Sequence, residues 1–131
     1  MEDSLFTKII NDEIPSHKVY EDDNTIAFLD IYPTMPGHTL VVPKRQVATV
    51  WDLEETDYTA LMATVSKVAK HLRELLPQQY VGVKIVGVDV PHAHVHLIPF
   101  DTPKEYAQPN NMTVDPDHEL LAQMAEKLRL S

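Results

Sequence analysis

A chain of 131 residues, 44% apolar and 24% charged, is long enough to bury one hydrophobic core and has the balance of an ordinary globular protein. Its formal net charge of -9 excludes a nucleic-acid backbone or an anionic membrane surface as partner, but leaves room for a small nucleotide held by a few local donors. Cysteine is absent, which removes disulfides and thiol chemistry; no apolar run is long enough to span a membrane, and the acidic start Met1-Glu2-Asp3-Ser4 is not signal-like, so a cytoplasmic location is expected.

Leu5, Phe6, Ile9 and Ile10 recur at helical spacing and predict a short first helix that Pro15 ends. Residues 18–21 and 25–30 read as strands joined by a turn at Asp22-Asp23-Asn24. After a loop marked by Pro33, Pro36 and Gly37, residues 39–42 form a third strand closed by Pro43. From 52 to 76 the period changes: Tyr58, Leu61, Met62, Val65, Val68, Ala69, Leu72, Leu75 and Leu76 make one stripe of a long amphipathic helix, capped by Asp52 or Thr56 and stopped by Pro77. Residues 80–86 and 92–99 are strands four and five. Residues 101–113 read as a loop, and Asp115-Pro116 opens a last helix that buries Leu120, Leu121, Met124, Ala125 and Leu128. The order predicts an α+β fold: a mainly antiparallel five-stranded sheet, a long central helix and short terminal helices. No repeat or linker divides the chain, so residues 1–131 are expected to form one domain, with 101–131 as a carboxy-terminal loop and helix extension.

The run Pro91-His92-Ala93-His94-Val95-His96-Leu97-Ile98-Pro99 carries the chemistry. Successive residues on a strand point to opposite faces, so alternation would place His92, His94 and His96 together and Ala93, Val95 and Leu97 against a core. Three readings fit. The histidines are surface residues of an edge strand; or they share a transition metal with Asp89 nearby to orient a ring; or a neutral imidazole attacks phosphorus while its neighbours bind the phosphoryl oxygens.

The segment from His92 to Ile98 resembles the signature of the histidine triad (HIT) family, in which histidines alternate with hydrophobic residues. Residues 6–15 resemble the family's opening segment, and residues 27–31 and 36–44 its central nucleotide-binding strands. Members are nucleotide hydrolases or transferases acting at the α-phosphate of a nucleotide conjugate. The resemblance implies a HIT-like fold, attack by His94 to form a nucleotidyl-histidine intermediate, contact of His96 with the phosphoryl oxygens, and a role for His92 in placing the leaving group and orienting its neighbour. It places Asp30 at the ribose hydroxyls and Leu5, Phe6, Ile9, Phe28, Ile31 and Leu40 around the base. The implied ligand is a purine nucleotide or its conjugate, a phosphoramidate or a dinucleoside polyphosphate, with no cofactor. A homodimer is implied as well. A purine-nucleotide-binding module with little turnover is the alternative.

Two departures from the family pattern stand out. Val88 and Asp89 occupy positions where relatives carry a glutamine and a serine or threonine that contact phosphate and leaving group. Ser4, Thr7 and Gln46 occupy positions where some bacterial relatives bind a structural zinc, together with a triad histidine; the loss of these ligands predicts no such metal here.

Overall fold

The computed structural model describes residues 2–110 and 112–130. Five strands, β1 (Lys18–Glu21), β2 (Thr25–Leu29), β3 (Thr39–Pro43), β4 (Tyr80–Lys84) and β5 (Val95–Phe100), pair antiparallel in the order β1-β2-β3-β5-β4. The register sets Phe28 against Leu40, Leu40 against His96 and His96 against Lys84. Directly opposed residues share a face of the sheet, so Phe28, Leu40 and His96 form a row on one side, and Ala27, Val41 and Val95 form a row on the other.

Helices cover the two faces unequally. The long helix α2 (Glu55–Leu75) and the last helix α4 (His118–Leu128) press Leu61, Val65, Val68, Leu72, Leu121, Ala125 and Leu128 onto the face carrying Ala27, Leu29, Val41, Val95 and Leu97. The first helix, α1 (Leu5–Ile10), covers part of the opposite face, where Phe6 and Ile9 pack with Ile26, Phe28, Leu40 and Val42. Because both sides are covered, β2 and β3 are buried at every position and read as continuous apolar runs. Burial of each large side chain there contributes about 1.5–3 kcal/mol. Among the described residues no helix is long and apolar enough to cross a membrane. The α+β architecture expected from the element order is therefore observed.

The boundaries differ in instructive ways. α1 ends at Ile10, well before Pro15, because Asp12 takes a left-handed conformation (φ 60°) and turns the chain. Asp52 and Thr56 do not cap α2: Asp52 lies in a 3-10 turn (Val50–Asp52), Thr56 lies inside the helix, and Glu54 occupies the cap without a side-chain bond. Its buried stripe runs from Leu61 to Leu72, leaving Tyr58 and Leu75 exposed towards the ends. β4 stops at Lys84 rather than at residue 86. The expected loop at 101–113 holds a short helix, α3 (Pro103–Tyr106), closed by a capping box between Thr102 and Glu105. α4 starts two residues later than Asp115-Pro116, with the Asp117 carboxylate accepting the Leu120 N–H, and Leu120 itself faces outward.

The most consequential difference lies at the histidines. β5 begins at Val95, not His92. Continuing the β3–β5 register would set Ala93 against Pro43, which has no N–H to extend the ladder. The chain compensates with other bonds: the Ala93 N–H donates to the Val47 carbonyl at 2.7 Å, and the His92 ring bonds the Pro43 carbonyl at 2.7 Å.

Candidate active site

A cavity of about 300 Å³ opens between α1, the row of Phe28, Leu40 and His96, and the loop after β2. Its wall contains Leu5, Phe6, Ile9, Phe28, Ile31 and Leu40, together with Asp30, His94 and His96. The expected base-slot residues, the expected ribose carboxylate and two of the three triad histidines thus meet at one site. Phe6, Phe28 and Leu40 are at once core residues, only 4%, 3% and 6% exposed, and cavity wall. The His92 ring does not line the cavity; it is fully buried behind it.

The hydrogen bonds around the histidines fix where each proton sits. The His94 Nδ1 meets the His92 carbonyl oxygen at 2.8 Å. A carbonyl only accepts, so Nδ1 carries the hydrogen and Nε2 of the neutral ring keeps a free lone pair. The Thr34 backbone N–H donates to His38 Nδ1 at 3.1 Å, which leaves the hydrogen of neutral His38 on Nε2. That Nε2–H lies 3.0 Å from His96 Nδ1 and donates to it, so His96 carries its own hydrogen on Nε2. The result is a donor chain from Thr34 through His38 to His96. Burial, then the charges of His96 and Lys84, lowers His38 to about 3. Burial, then the charges of His94 and Lys84, lowers His96 to about 4 despite the opposing Asp89 carboxylate. Both rings are therefore neutral near pH 7.

His38 has no role in the expected set, although it lies two residues before Leu40 and so on the same strand face. Gly37, at φ 90°, makes the turn that admits it; a Cβ there would meet the Leu76 side chain at 2.6 Å. The Asp30 carboxylate accepts the Tyr32 N–H at 2.8 Å and an Asn110 amide hydrogen at 3.3 Å. Burial raises its pKa, and these two bonds counter the rise. Asn110, Met112, Tyr32, Ile14, Pro15, Ser16 and Val90 also line the cavity without having been expected there, and Asp89 joins them.

Asp30, His38 and His96 bring their donor atoms close enough to hold a metal ion. Their chemistry suits hydrogen bonding better. Ligation through His38 Nε2 would move its hydrogen to Nδ1 and strand the buried Thr34 N–H, a cost of about 1–3 kcal/mol.

Ser4, Thr7, Gln46 and His92 do come together, as the zinc-binding positions of the resemblance require, but with other donors. The His92 Nε2–H donates to the Pro43 carbonyl, so Nδ1 accepts, and the Ser4 hydroxyl donates to it at 2.7 Å. Ser4 Oγ also caps α1 by accepting the Thr7 N–H at 3.0 Å. Gln46 Oε1 takes the Thr7 hydroxyl at 2.6 Å and the Ser4 N–H at 2.9 Å, while its Nε2 donates to the Glu2 carbonyl. Two hydroxyls, a carboxamide and one imidazole do not fit zinc, which takes thiolates, imidazoles and carboxylates. Here the four residues form a latch that docks the first turn of α1, with Leu5 and Phe6, against His92.

The small α+β protein thus brings together, at one apolar cavity, a histidine with a free Nε2 lone pair just before β5 and a second, on β5, that presents Nε2–H. The pattern of the HIT domain matches residues 11–102. A HIT-like protein of Borreliella burgdorferi is 39% identical over 106 residues, 76% of each chain. The adenosine 5'-monophosphoramidase of Saccharomyces cerevisiae is 38% identical over 96 residues, 72% of this chain and 61% of that one. A solved Hit-like protein of Bartonella henselae, crystallised with an unknown ligand, superposes with a TM-score of 0.86 at 34% identity, covering 97% of this chain and 94% of the other. The chain belongs to the HIT family.

Proposed function

We propose that this protein hydrolyses a purine nucleoside phosphoramidate, with His94 as the nucleophile at the α-phosphorus. The observation that carries the reading is the His94 tautomer: with Nδ1–H held on the His92 carbonyl, the Nε2 lone pair is free to attack. As the P–Nε2 bond forms, the bond to the leaving nitrogen breaks and that nitrogen takes a proton from solvent. The resulting imidazolium strengthens its Nδ1–H bond to the His92 carbonyl, now charge-assisted. His96 donates Nε2–H to a non-bridging phosphoryl oxygen. Because His38 and His96 are neutral, no second positive ring opposes the imidazolium. Water then attacks phosphorus and gives one proton to solvent as the P–O bond forms and the P–Nε2 bond breaks; the nucleoside monophosphate leaves and neutral His94 keeps its hydrogen on Nδ1. The base lies in the slot of Phe6, Ile9, Phe28, Ile31 and Leu40, with Leu5 at its edge, and Asp30 accepts from the ribose hydroxyls. His92 acts through its carbonyl and through its hold on α1, not on the leaving group.

A phosphoramidate is preferred to a dinucleoside polyphosphate because Asp89 faces the cavity. A carboxylate beside the leaving group repels a polyphosphate and tolerates an amine. The activity in the name of the yeast relative points the same way. In this reading residues 1–131 form one HIT domain that works as a homodimer in the cytoplasm, the exposed edge strand β4 with Tyr80 and Val83 offering a pairing surface.

Binding with little turnover is the second reading, favoured by Val88, which cannot hydrogen-bond, and by Asp89, which when ionised cannot donate. Intact mass after brief mixing with adenosine phosphoramidate separates the two. A gain of one nucleotidyl group on the unmodified protein and none on His94→Ala supports the hydrolase. Neither adduct nor nucleoside monophosphate, with nucleotide binding retained, supports the second reading.

A further inference from the structure

Asn110 reaches the site from the segment between α3 and α4, and its side chain bonds three residues of the loop that follows β2. Its amide nitrogen donates to Asp30 Oδ2 and to the Tyr32 carbonyl, and its amide oxygen accepts the Thr34 hydroxyl at 3.2 Å. The amide has one possible orientation here, since a carboxylate and a carbonyl both only accept. Both nitrogen hydrogens are consumed, so Asn110 has none left for a ligand. The loop it grips does two things for the site. It carries Asp30, whose other oxygen is held by the Tyr32 N–H, and it carries Thr34, whose backbone N–H fixes the His38 tautomer. Asn110 also lines the cavity itself.

We propose that Asn110 is a positioning residue for ribose recognition: it holds the Asp30 carboxylate and its loop in place, and so sets the preference for ribonucleotides over nucleotides lacking the ribose hydroxyls. The inference rests on the nucleotide reading of this cavity and extends it to a residue outside the span that matches the HIT domain. A buried carboxylate is held in its charged form by donors and by nearby positive charge. With the Asn110 amide removed, only the Tyr32 N–H and the charge of His94 oppose the burial that raises Asp30. A protonated or displaced Asp30 accepts poorly from two hydroxyls.

The test compares adenosine monophosphate with its 2',3'-dideoxy analogue by calorimetry on the full chain, across pH 5 to 8. The unmodified protein is expected to prefer the ribonucleotide by about tenfold or more, the worth of a hydrogen bond to a charged group. In Asn110→Ala that preference falls about tenfold through loss of ribonucleotide affinity alone, and the remaining affinity weakens as pH falls, at a higher pH than in the unmodified protein. Asn110→Asp sets a second carboxylate against Asp30, so it loses more at pH 8 and recovers part as pH falls. Thr34→Val, which removes only the outer bond to Asn110, shifts the preference the same way by a smaller factor and serves if the others fold poorly. No binding of either nucleotide by the unmodified protein overturns the nucleotide reading. Binding and discrimination that persist unchanged in all three variants overturn the role of Asn110 alone.

Discussion

His94 is aimed by the residue two before it: its Nδ1–H donates to the His92 carbonyl oxygen at 2.8 Å, so the reactive nitrogen is set by the backbone rather than by another side chain. A backbone carbonyl cannot be ionised or protonated in the working range, so it always accepts and keeps the hydrogen of the neutral ring on Nδ1. Replacing His94 by alanine is expected to lower turnover of adenosine phosphoramidate on the order of 10⁴-fold or more. The fold should persist, because the lost edge-on contact with Phe6, with ring centres 5.0 Å apart, contributes about 0.5–1.5 kcal/mol. Steady-state rates and a thermal melt check both halves; turnover within tenfold of the unmodified protein removes His94 as nucleophile.

His38 and His96 make the protein sensitive to acid in a defined direction. Both have folded values, about 3 and about 4, below the ordinary histidine value of 6.5. Below 6.5 the unfolded chain binds protons that the folded chain refuses, so stability is fully present above that value and drains as pH falls towards 4 and then 3. At pH 5 each ring contributes about 2 kcal/mol of loss relative to neutral pH. His38→Asn should flatten this acid limb in urea unfolding followed from pH 7.5 to pH 5, although the variant starts less stable. An unchanged slope would mean that these rings titrate normally in the folded protein. The same variant unpins the His96 tautomer, so the turnover number should fall about tenfold with little change in KM, as expected for a donor felt mainly in the transition state.

Asp89 should decide between leaving groups. Its solvent-exposed carboxylate opposes a polyphosphate more than an amine, and at a dielectric near that of water two unit charges about 4 Å apart repel by about 1 kcal/mol. In Asp89→Asn the ratio of kcat/KM for diadenosine tetraphosphate to that for adenosine phosphoramidate is expected to rise about fivefold or more. Raising the salt to 1 M should produce part of the same change in the unmodified protein by screening. Competition assays with both substrates in one tube report the ratio directly, and a ratio that does not move denies Asp89 this role.

Periodicity made the order of strands and helices legible, through two-residue and 3.6-residue spacings. The expected cavity wall came instead from the resemblance to the HIT family, and the row of Phe28, Leu40 and His96 appears only in the cross-strand register. Alternation misled at His92, because Pro43 on the neighbouring strand ends the ladder and turns that ring into the latch with Ser4. Pairing across strands is non-local, and no spacing within one segment reports it. α3 had a readable signal, since Thr102-Pro103-Lys104-Glu105 has the spacing of a capping box, but a helix of four residues leaves no apolar period to support it. Asn110 had no signal at all. It sits in aperiodic chain and earns its place through bonds to residues 76 to 80 positions away.

The Ser4, Thr7, Gln46 and His92 latch offers the last test, because its geometry is that of a metal site with the wrong atoms. Ser4 Oγ lies 2.7 Å from His92 Nδ1, and Thr7 Oγ1 lies 2.6 Å from Gln46 Oε1, so all four side chains converge. Thiolates at 4 and 7 and an imidazole at 46 would supply three of the four ligands of a tetrahedral zinc, with His92 Nδ1, already hydrogen-free, as the fourth. The triple variant Ser4→Cys, Thr7→Cys, Gln46→His is expected to bind one zinc per chain and to melt at least several degrees higher with the metal than after chelation. Ser4→Ala alone should instead destabilise the protein by about 1–3 kcal/mol, since it removes both the α1 cap and the donor to a buried ring nitrogen. Zinc content by mass spectrometry and melts with and without chelator read both effects. A triple variant that folds but takes up no zinc would show that the four positions do not converge as the hydrogen bonds require.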